Sequence, residues 1–377
     1  GWQKQFNYSK ADSTQIWNDY KKVFHEMIPN TLDSLLPKEK NIYWSSSPSI
    51  GWGRKESLLQ GDSHYWGVWW GKEPFEIYEK KVGRFMSEYG FQGMPNLETL
   101  QKVINKEDLN FTSEAFKNHQ KHPTGYETIN EYMERDYVVP KVFEDYLYVS
   151  QLLQARGMKT AIEVHRRAKP YCMGTLYWQF NDCWPVTSWS SLDYYGNWKA
   201  FHYQAKRSFE NLLLSVNEEN EIYKVFLVND NFESYSVRLE LELLSFDGKS
   251  LWENSKEVTV KENTSINVYE IPKDEFENFD LKSSVLKVNW EEVKINYFFA
   301  KPKDLKLQKP NIEIKIINDF MIEISSDVLA KDVFLSSENE VFFEDNYFDL
   351  LPNDKRIIKL SKAAKEIKVK SLFDTIK

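Results

Sequence analysis

The chain has 377 residues, 41% hydrophobic and 15% aromatic, which is too much apolar matter for a disordered or fibrous protein and enough for two or three domains. Its 49 basic and 57 acidic residues leave a net charge of −8 without long like-charge blocks, so nucleic acid and anionic membrane are disfavoured as partners and a neutral ligand fits better. No apolar run approaches the roughly 18 residues of a membrane span, and the chain reads as soluble.

Taken in order, residues 12–28 carry Ile16, Tyr20, Val23, Phe24 and Met27 at helical spacing behind Asp12 or Ser13 as N-cap. That pattern predicts an amphipathic helix ending before Pro29. Short apolar strands are expected at 41–44, 62–66, 82–87 and 173–179. An excursion over 95–140 leads into a helix from about 142 to 168, which stacks Phe143, Tyr146, Leu147, Leu153, Ile162 and His165. Strand and helix in alternation argue for a parallel sheet with helical crossovers. The two cysteines, Cys172 and Cys183, are too few for a disulfide framework and are expected as free, buried thiols, which leaves the compartment open.

Eleven of the thirteen tryptophans precede residue 200, so composition shifts near 211–220. Beyond it the hydrophobic period becomes two, as in Val237-x-Leu239-x-Leu241-x-Leu243, followed by a turn at Ser245-Phe246-Asp247-Gly248-Lys249. Further short strands are expected at 223–229, 256–260, 285–289, 295–299, 312–316, 321–325, 333–336 and 367–371, a spacing typical of β-sandwiches. The proline-bearing stretch 300–304 reads as a linker that divides the tail into two sandwiches.

Three stretches could carry chemistry. In Arg84-Phe85-Met86-Ser87-Glu88-Tyr89-Gly90-Phe91-Gln92, a carboxylate ends an apolar strand among aromatics, where burial is costly unless the charge is paired or used. In parallel α/β barrels the functional groups occupy such strand ends. The run from Gly174 to Pro185 breaks from a strand into a loop bearing Trp178, Asn181, Asp182 and Trp184. Aromatic faces beside amides and carboxylates suit a pyranose, although a core tryptophan with a turn-capping Asn-Asp pair would look the same. In Gly61-Asp62-Ser63-His64-Tyr65-Trp66-Gly67-Val68-Trp69-Trp70, the lone His64 is more often a satisfied core residue than a catalyst. The remaining histidines show no metal-ligand spacing, and neither a phosphate-binding glycine loop nor a nucleophile elbow occurs.

The runs SEYGFQ with Glu88, GDSHYW with His64, GTLYWQFNDCWPVTSWSSLDYYGNWKAFHY from Gly174 to Tyr203, and Asp345 to Pro352 near the end resemble the C-terminal half of β-mannosidases of glycoside hydrolase family 2. The resemblance covers essentially the whole chain. It implies an α/β plus all-β protein: the C-terminal half of a catalytic (β/α)8 TIM barrel over 1–212, strands five to eight, then immunoglobulin-like β-sandwich domains over 213–303 and 304–377. It makes Glu88 the nucleophile of a retaining exo-β-mannosidase and Trp178 the floor beneath the reactive sugar, with Trp52, Trp70, His64, Asn181 and Asp182 at the rim or in support. Relatives place a tyrosine beside the nucleophile, so Tyr65 or Tyr89 is expected there, since Trp70 can only donate.

The family's second carboxylate, in a motif ending Asn-Glu, does not occur in the sequence and is expected upstream of Gly1. The chain alone is therefore expected to be inactive and to pair with the missing N-terminal half or with itself. The implied ligand is a β-mannoside oligosaccharide or glycan, with no metal or organic cofactor. A family 2 hydrolase for galactosides or glucuronides, or a non-catalytic carbohydrate-binding module, are the competing readings.

Overall fold

The computed structural model describes residues 5–36, 43–291 and 293–376. The first helix, α1 (Lys10–Lys21), is capped by Ser9 and not by Asp12 or Ser13. Ser9 Oγ accepts from the Asp12 N–H at 3.1 Å, and the Asp12 carboxylate accepts from the Ser9 N–H at 3.0 Å, closing a capping box. The expected stop at Pro29 is also absent, because the helix continues through a π-helical stretch, Lys22–Met27, into α2 (Ile28–Leu35). Pro29 occupies the first turn of the resumed α-helix, where a missing N–H is tolerated. None of the residues in these three segments is buried. The strand expected at 41–44 lies partly outside the described residues, and Tyr43 and Trp44 are not in a strand.

The part of the fold that carries the candidate site is a short parallel ribbon. Strand β1 (Ser63–His64) pairs with β2 (Met86–Glu88), with Ser63 opposite Met86 and His64 opposite Glu88. An extended segment over 173–178 flanks β2 on its other edge. There the Met86 N–H reaches Gly174 O at 2.9 Å, the Leu176 N–H reaches Met86 O at 2.8 Å and the Trp178 N–H reaches Tyr89 O at 2.8 Å. The excursion folds as α3 (Leu97–Gln101), α4 (Glu114–Asn118) and α5 (Gly125–Asp136).

The long helix follows as α6 (Phe143–Arg167), within a residue of its expected bounds, and α7 (Ala200–Ser208) packs beside it. Tyr146, Leu147, Leu153, Ile162 and His165 of α6 are buried, in a core that Phe75, Tyr78, Tyr89, Phe91 and Tyr132 share. Both cysteines are free, but only Cys172 is buried; Cys183 lies in the loop after Trp178 and is exposed.

The first sandwich packs a sheet of β3 (Leu212–Glu219), β4 (Ile222–Asn229) and β7 (Thr264–Pro272) against one of β5 (Tyr235–Ser245), β6 (Ser250–Val260), β8 (Ser284–Trp290) and β9 (Val293–Phe298). Leu239, Leu241 and Leu243 all point into its core, as the alternation requires, and Gly248 takes a φ of +92° in the turn after β5. The second sandwich has two three-stranded sheets. One orders β10 (Ile312–Asn318), β11 (Met321–Ser326) and β14 (Lys355–Lys359); in the other, β12 (Ala330–Ser337) lies between β13 (Phe348–Leu350) and β15 (Ile367–Lys370). The stretch at 300–304 does not dangle. Lys301 Nζ lies 2.8 Å from the Asp136 carboxylate, and the next residue along, Leu305, is buried with Leu244, Phe246, Leu329 and Leu351.

Candidate active site

Glu88 is the last residue of β2, so its carboxylate projects from the C-terminal end of the parallel ribbon. Its Oε2 accepts hydrogen bonds from His64 Nδ1 at 2.9 Å and Trp66 Nε1 at 3.0 Å. Burial opposes ionisation of the carboxyl, but the hydrogen bonds from His64 and Trp66 and the nearness of His64 outweigh it and hold the group below the usual carboxylate range. Both donors come from one segment for a simple reason. In extended chain, alternate residues share a face, so Asp62, His64 and Trp66 all turn toward β2.

Behind Glu88 the polar contacts continue. His64 Nε2 lies 3.1 Å from Ser47 Oγ, which donates to Asp62 Oδ2 at 2.5 Å. Ser87 Oγ donates to the same oxygen at 2.6 Å, and Trp44 Nε1 donates to Asp62 Oδ1 at 3.2 Å. Partial burial works against the charge on Asp62, yet the hydroxyls of Ser47 and Ser87 and the Trp44 indole keep its carboxyl below the ordinary range. Among the described residues, no group of three or more His, Cys, Asp or Glu side chains is arranged to hold a metal ion.

Trp178 ends the neighbouring extended segment at the same level as Glu88, with its side chain about half exposed. Gly90 permits this approach, since a Cβ there would lie 2.2 Å from Trp178 O. The remaining candidates are dispersed. Asp182 is buried and occupied by Ser188 Oγ at 2.7 Å, Ser190 Oγ at 2.5 Å and Lys121 Nζ at 3.2 Å, so it holds its own loop together. Asn181 is exposed beside it. Trp70 is exposed with its ring 4.5 Å from His122, and Trp52 is exposed in a turn; both stand outside the hydrogen-bonded cluster at Glu88.

The tyrosine expected beside Glu88 is not there. The Tyr65 hydroxyl donates to the Glu73 carboxylate, and the Tyr89 hydroxyl pairs with Thr175 Oγ1 at 2.6 Å in the core. Trp66 fills the position instead, and sequence reading passed over it along with Asp62, Ser47 and Ser87. The signal was present in Asp62-x-His64-x-Trp66, whose period of two puts all three on the face that meets Glu88.

Residues 221–304 match the mannosidase Ig/CBM-like domain family, and residues 307–375 match the Ig-fold domain family of mannosidases. A solved β-D-mannosidase from Dictyoglomus thermophilum superposes with a TM-score of 0.83 at 30% identity, over 93% of this chain and 44% of that one. The chain is a relative of the C-terminal part of the β-mannosidases. Two further β-mannosidases agree: the rat protein is 30% identical over 63% of this chain and 29% of its own length. β-Mannosidase B of Thermothelomyces thermophilus is 27% identical over 98% of this chain and 48% of its own. The chain thus spans less than half the length of the β-mannosidases it matches. The exo-chitosanase CsxA of Amycolatopsis orientalis, at 14% identity and a TM-score of 0.63, shares the fold.

Proposed function

We propose that Glu88 is the nucleophile of a retaining exo-β-mannosidase that removes terminal β-D-mannose from oligosaccharides or glycans. The observation that carries this reading is the environment of its carboxylate. A nucleophile must be ionised and held in one rotamer, and His64 and Trp66 supply two hydrogen bonds that favour the charged form at the open end of the ribbon. Trp178 at the same level offers an apolar face for the C–H side of a pyranose.

Retaining hydrolysis needs a second carboxyl group about 5–5.5 Å from the first, which protonates the leaving oxygen and later activates water. Asp62, the carboxylate joined to this cluster, is taken up by Ser47, Ser87 and Trp44 and serves poorly as that acid. The reading therefore places the acid/base on a segment preceding residue 1, within the first half of a (β/α)8 barrel whose second half is formed by residues 1–212. The apolar residues exposed along the helical run from Lys10 to Leu35, among them Ile16, Trp17, Val23, Phe24 and Met27, then belong to the face on which that missing half packs. No cofactor enters this chemistry.

The test is hydrolysis of an aryl β-mannoside by the protein extended upstream of residue 1. Glu88→Ala in that protein lowers kcat by roughly 10³-fold or more. Activity near the wild-type rate in the variant would remove Glu88 from the mechanism. Faster hydrolysis of the matched aryl β-galactoside or β-glucuronide would change the sugar.

A further inference from the structure

A cavity of about 860 Å³ opens where α6 and α7 meet the two sandwiches, and it shares no residue with the cluster around Glu88. Its size is that of a small-molecule pocket, and such pockets favour the places where domains meet. One wall is the outer face of the first sandwich. Leu286, Val288 and Trp290 of β8 are buried in the sandwich core, so Lys287 and Asn289 between them point outward. Pairing with β9 sets Asn296 opposite Lys287 and Lys294 opposite Asn289, which makes the wall a patch of four polar side chains. The second wall is Gln204 and Arg207 of α7 with Phe209 and Asn211 just beyond it, and the third is the second sandwich, with Phe348 and Arg356.

Two properties of this lining say what it would hold. Charges on all three walls are matched within the protein: Lys159 Nζ lies 3.2 Å from Glu163, Lys287 Nζ 3.7 Å from Asp354, and Arg207 Nη1 2.7 Å from Asp345, the carboxylate that Arg356 also meets. An ionic ligand would have to break such a pair, so a neutral one fits better. The amides, by contrast, are left open. Asn289 Oδ1 is buried and meets no hydrogen-bond donor among the described residues, a costly state for an acceptor unless something else donates to it. Gln204, Asn211, Asn231 and Asn296 add further amides to the lining. An amide presents a donor beside an acceptor, which neighbouring hydroxyls of a pyranose complement. Phe209, 41% exposed, supplies an apolar face for the C–H side of such a ring. We propose that this three-domain cavity is a second carbohydrate site, which holds a neutral oligosaccharide by hydrogen bonds to Asn289 and Asn296 and by stacking on Phe209. The proposal needs no turnover and does not rest on the reading of Glu88 as nucleophile.

The experiment is calorimetric titration of the 377-residue chain with β-1,4-linked mannotetraose and, separately, cellotetraose. At least one is expected to bind with a Kd of about 1 mM or lower. Asn289→Ala weakens that binding by about five-fold, as expected for the loss of one hydrogen bond, and Phe209→Ala weakens it by about ten-fold through the lost ring face. Should Phe209→Ala unsettle the end of α7, Asn296→Ala stands in, since it truncates a polar side chain on the outer face of a sheet and is expected to match Asn289→Ala. Trp178→Ala keeps the binding, because Trp178 lies at the ribbon and not in the cavity. No binding of either sugar at a concentration of about 10 mM overturns the proposal. Binding that Trp178→Ala abolishes, and that Asn289→Ala, Asn296→Ala and Phe209→Ala leave unchanged, places the sugar at Glu88 and overturns it as well. The outcome is separable from that of the nucleophile assignment: a fully active Glu88→Ala enzyme that still binds the tetraose through Asn289 would end the functional reading and leave the second site standing.

Discussion

Helices α1 and α6 are both amphipathic in sequence, and they meet opposite fates. Of the 25 residues of α6, 17 are buried, against the ribbon, the aromatic core and the sandwiches. The helical run from Lys10 to Leu35 buries none. Ile162 is fully buried, whereas Ile16 is 48% exposed. A 3.6-residue hydrophobic period states which face a helix would bury; it does not state whether the covering surface is in the same chain. For α6 the cover is supplied by Phe75, Tyr78, Phe91 and Tyr132, brought in by segments up to about 80 residues away in sequence. For α1, under the functional reading above, it is supplied by a segment preceding residue 1.

The largest expected effect tests the covered side. Ile162→Ala removes three methyl or methylene carbons from a site with no exposed surface, on a helix most of whose residues are buried. A loss of about 2–5 kcal/mol in urea unfolding is expected. A cost below about 1 kcal/mol would mean that this core is loosely packed and that the contrast with α1 is one of degree only.

Much of this contrast was legible from sequence, and the parts that were not have physical causes. The bounds of α6 followed from its period, and the sandwich strands with strict alternation, such as Tyr235–Ser245, were placed by the same logic. The strands Leu212–Glu219 and Thr264–Pro272 were missed, since the first opens with three consecutive leucines and the second carries polar residues on both faces. At the candidate site, Glu88 and Trp178 stand out in the sequence because an apolar strand visibly ends at each. Trp66 and Asp62 were not singled out, because their roles exist only across the β1–β2 pairing, and one sequence does not display which strands are neighbours. Asp182, which the sequence offers as a rim or support residue, is enclosed by Ser188, Ser190 and Lys121, partners that only the folded loop brings to it.

A second, smaller effect concerns a titratable group that only a covered helix could hold neutral. His165 of α6 is fully buried, with Nδ1 2.9 Å from Thr175 Oγ1, and burial, reinforced by the charge of Arg167, pushes its pKa down to about 3. In the unfolded chain the ring takes up a proton near pH 6.5, so below that value the unfolded state binds more protons than the folded one. The contribution is complete above about pH 6.5 and is lost as pH falls toward 3, at no more than about 1.4 kcal/mol per pH unit. Between pH 6.5 and 5 the wild-type chain is expected to lose roughly 2 kcal/mol more than His165→Gln, each measured by urea unfolding at the two pH values. Parallel losses in the two proteins would show that the ring is hydrated in the native state.

The smallest expected effect bears on the uncovered side, and it sharpens the comparison most. Ile16→Ala makes the same truncation as Ile162→Ala on a helix of similar amphipathic design, but the side chain it removes is half in solvent already. Its cost in urea unfolding of the 377-residue chain is expected to stay within about 0.5 kcal/mol. The measurement gains force when repeated under two further conditions. If two copies of the chain cover each other's apolar faces, the cost grows with protein concentration, because association stabilises by mass action. If the cover is the first half of a barrel, the cost stays small at every concentration and rises toward that of Ile162→Ala only when the upstream residues are restored. A large, concentration-independent cost in the 377-residue chain would mean that α1 is already covered from within, and the contrast between the two helices would collapse.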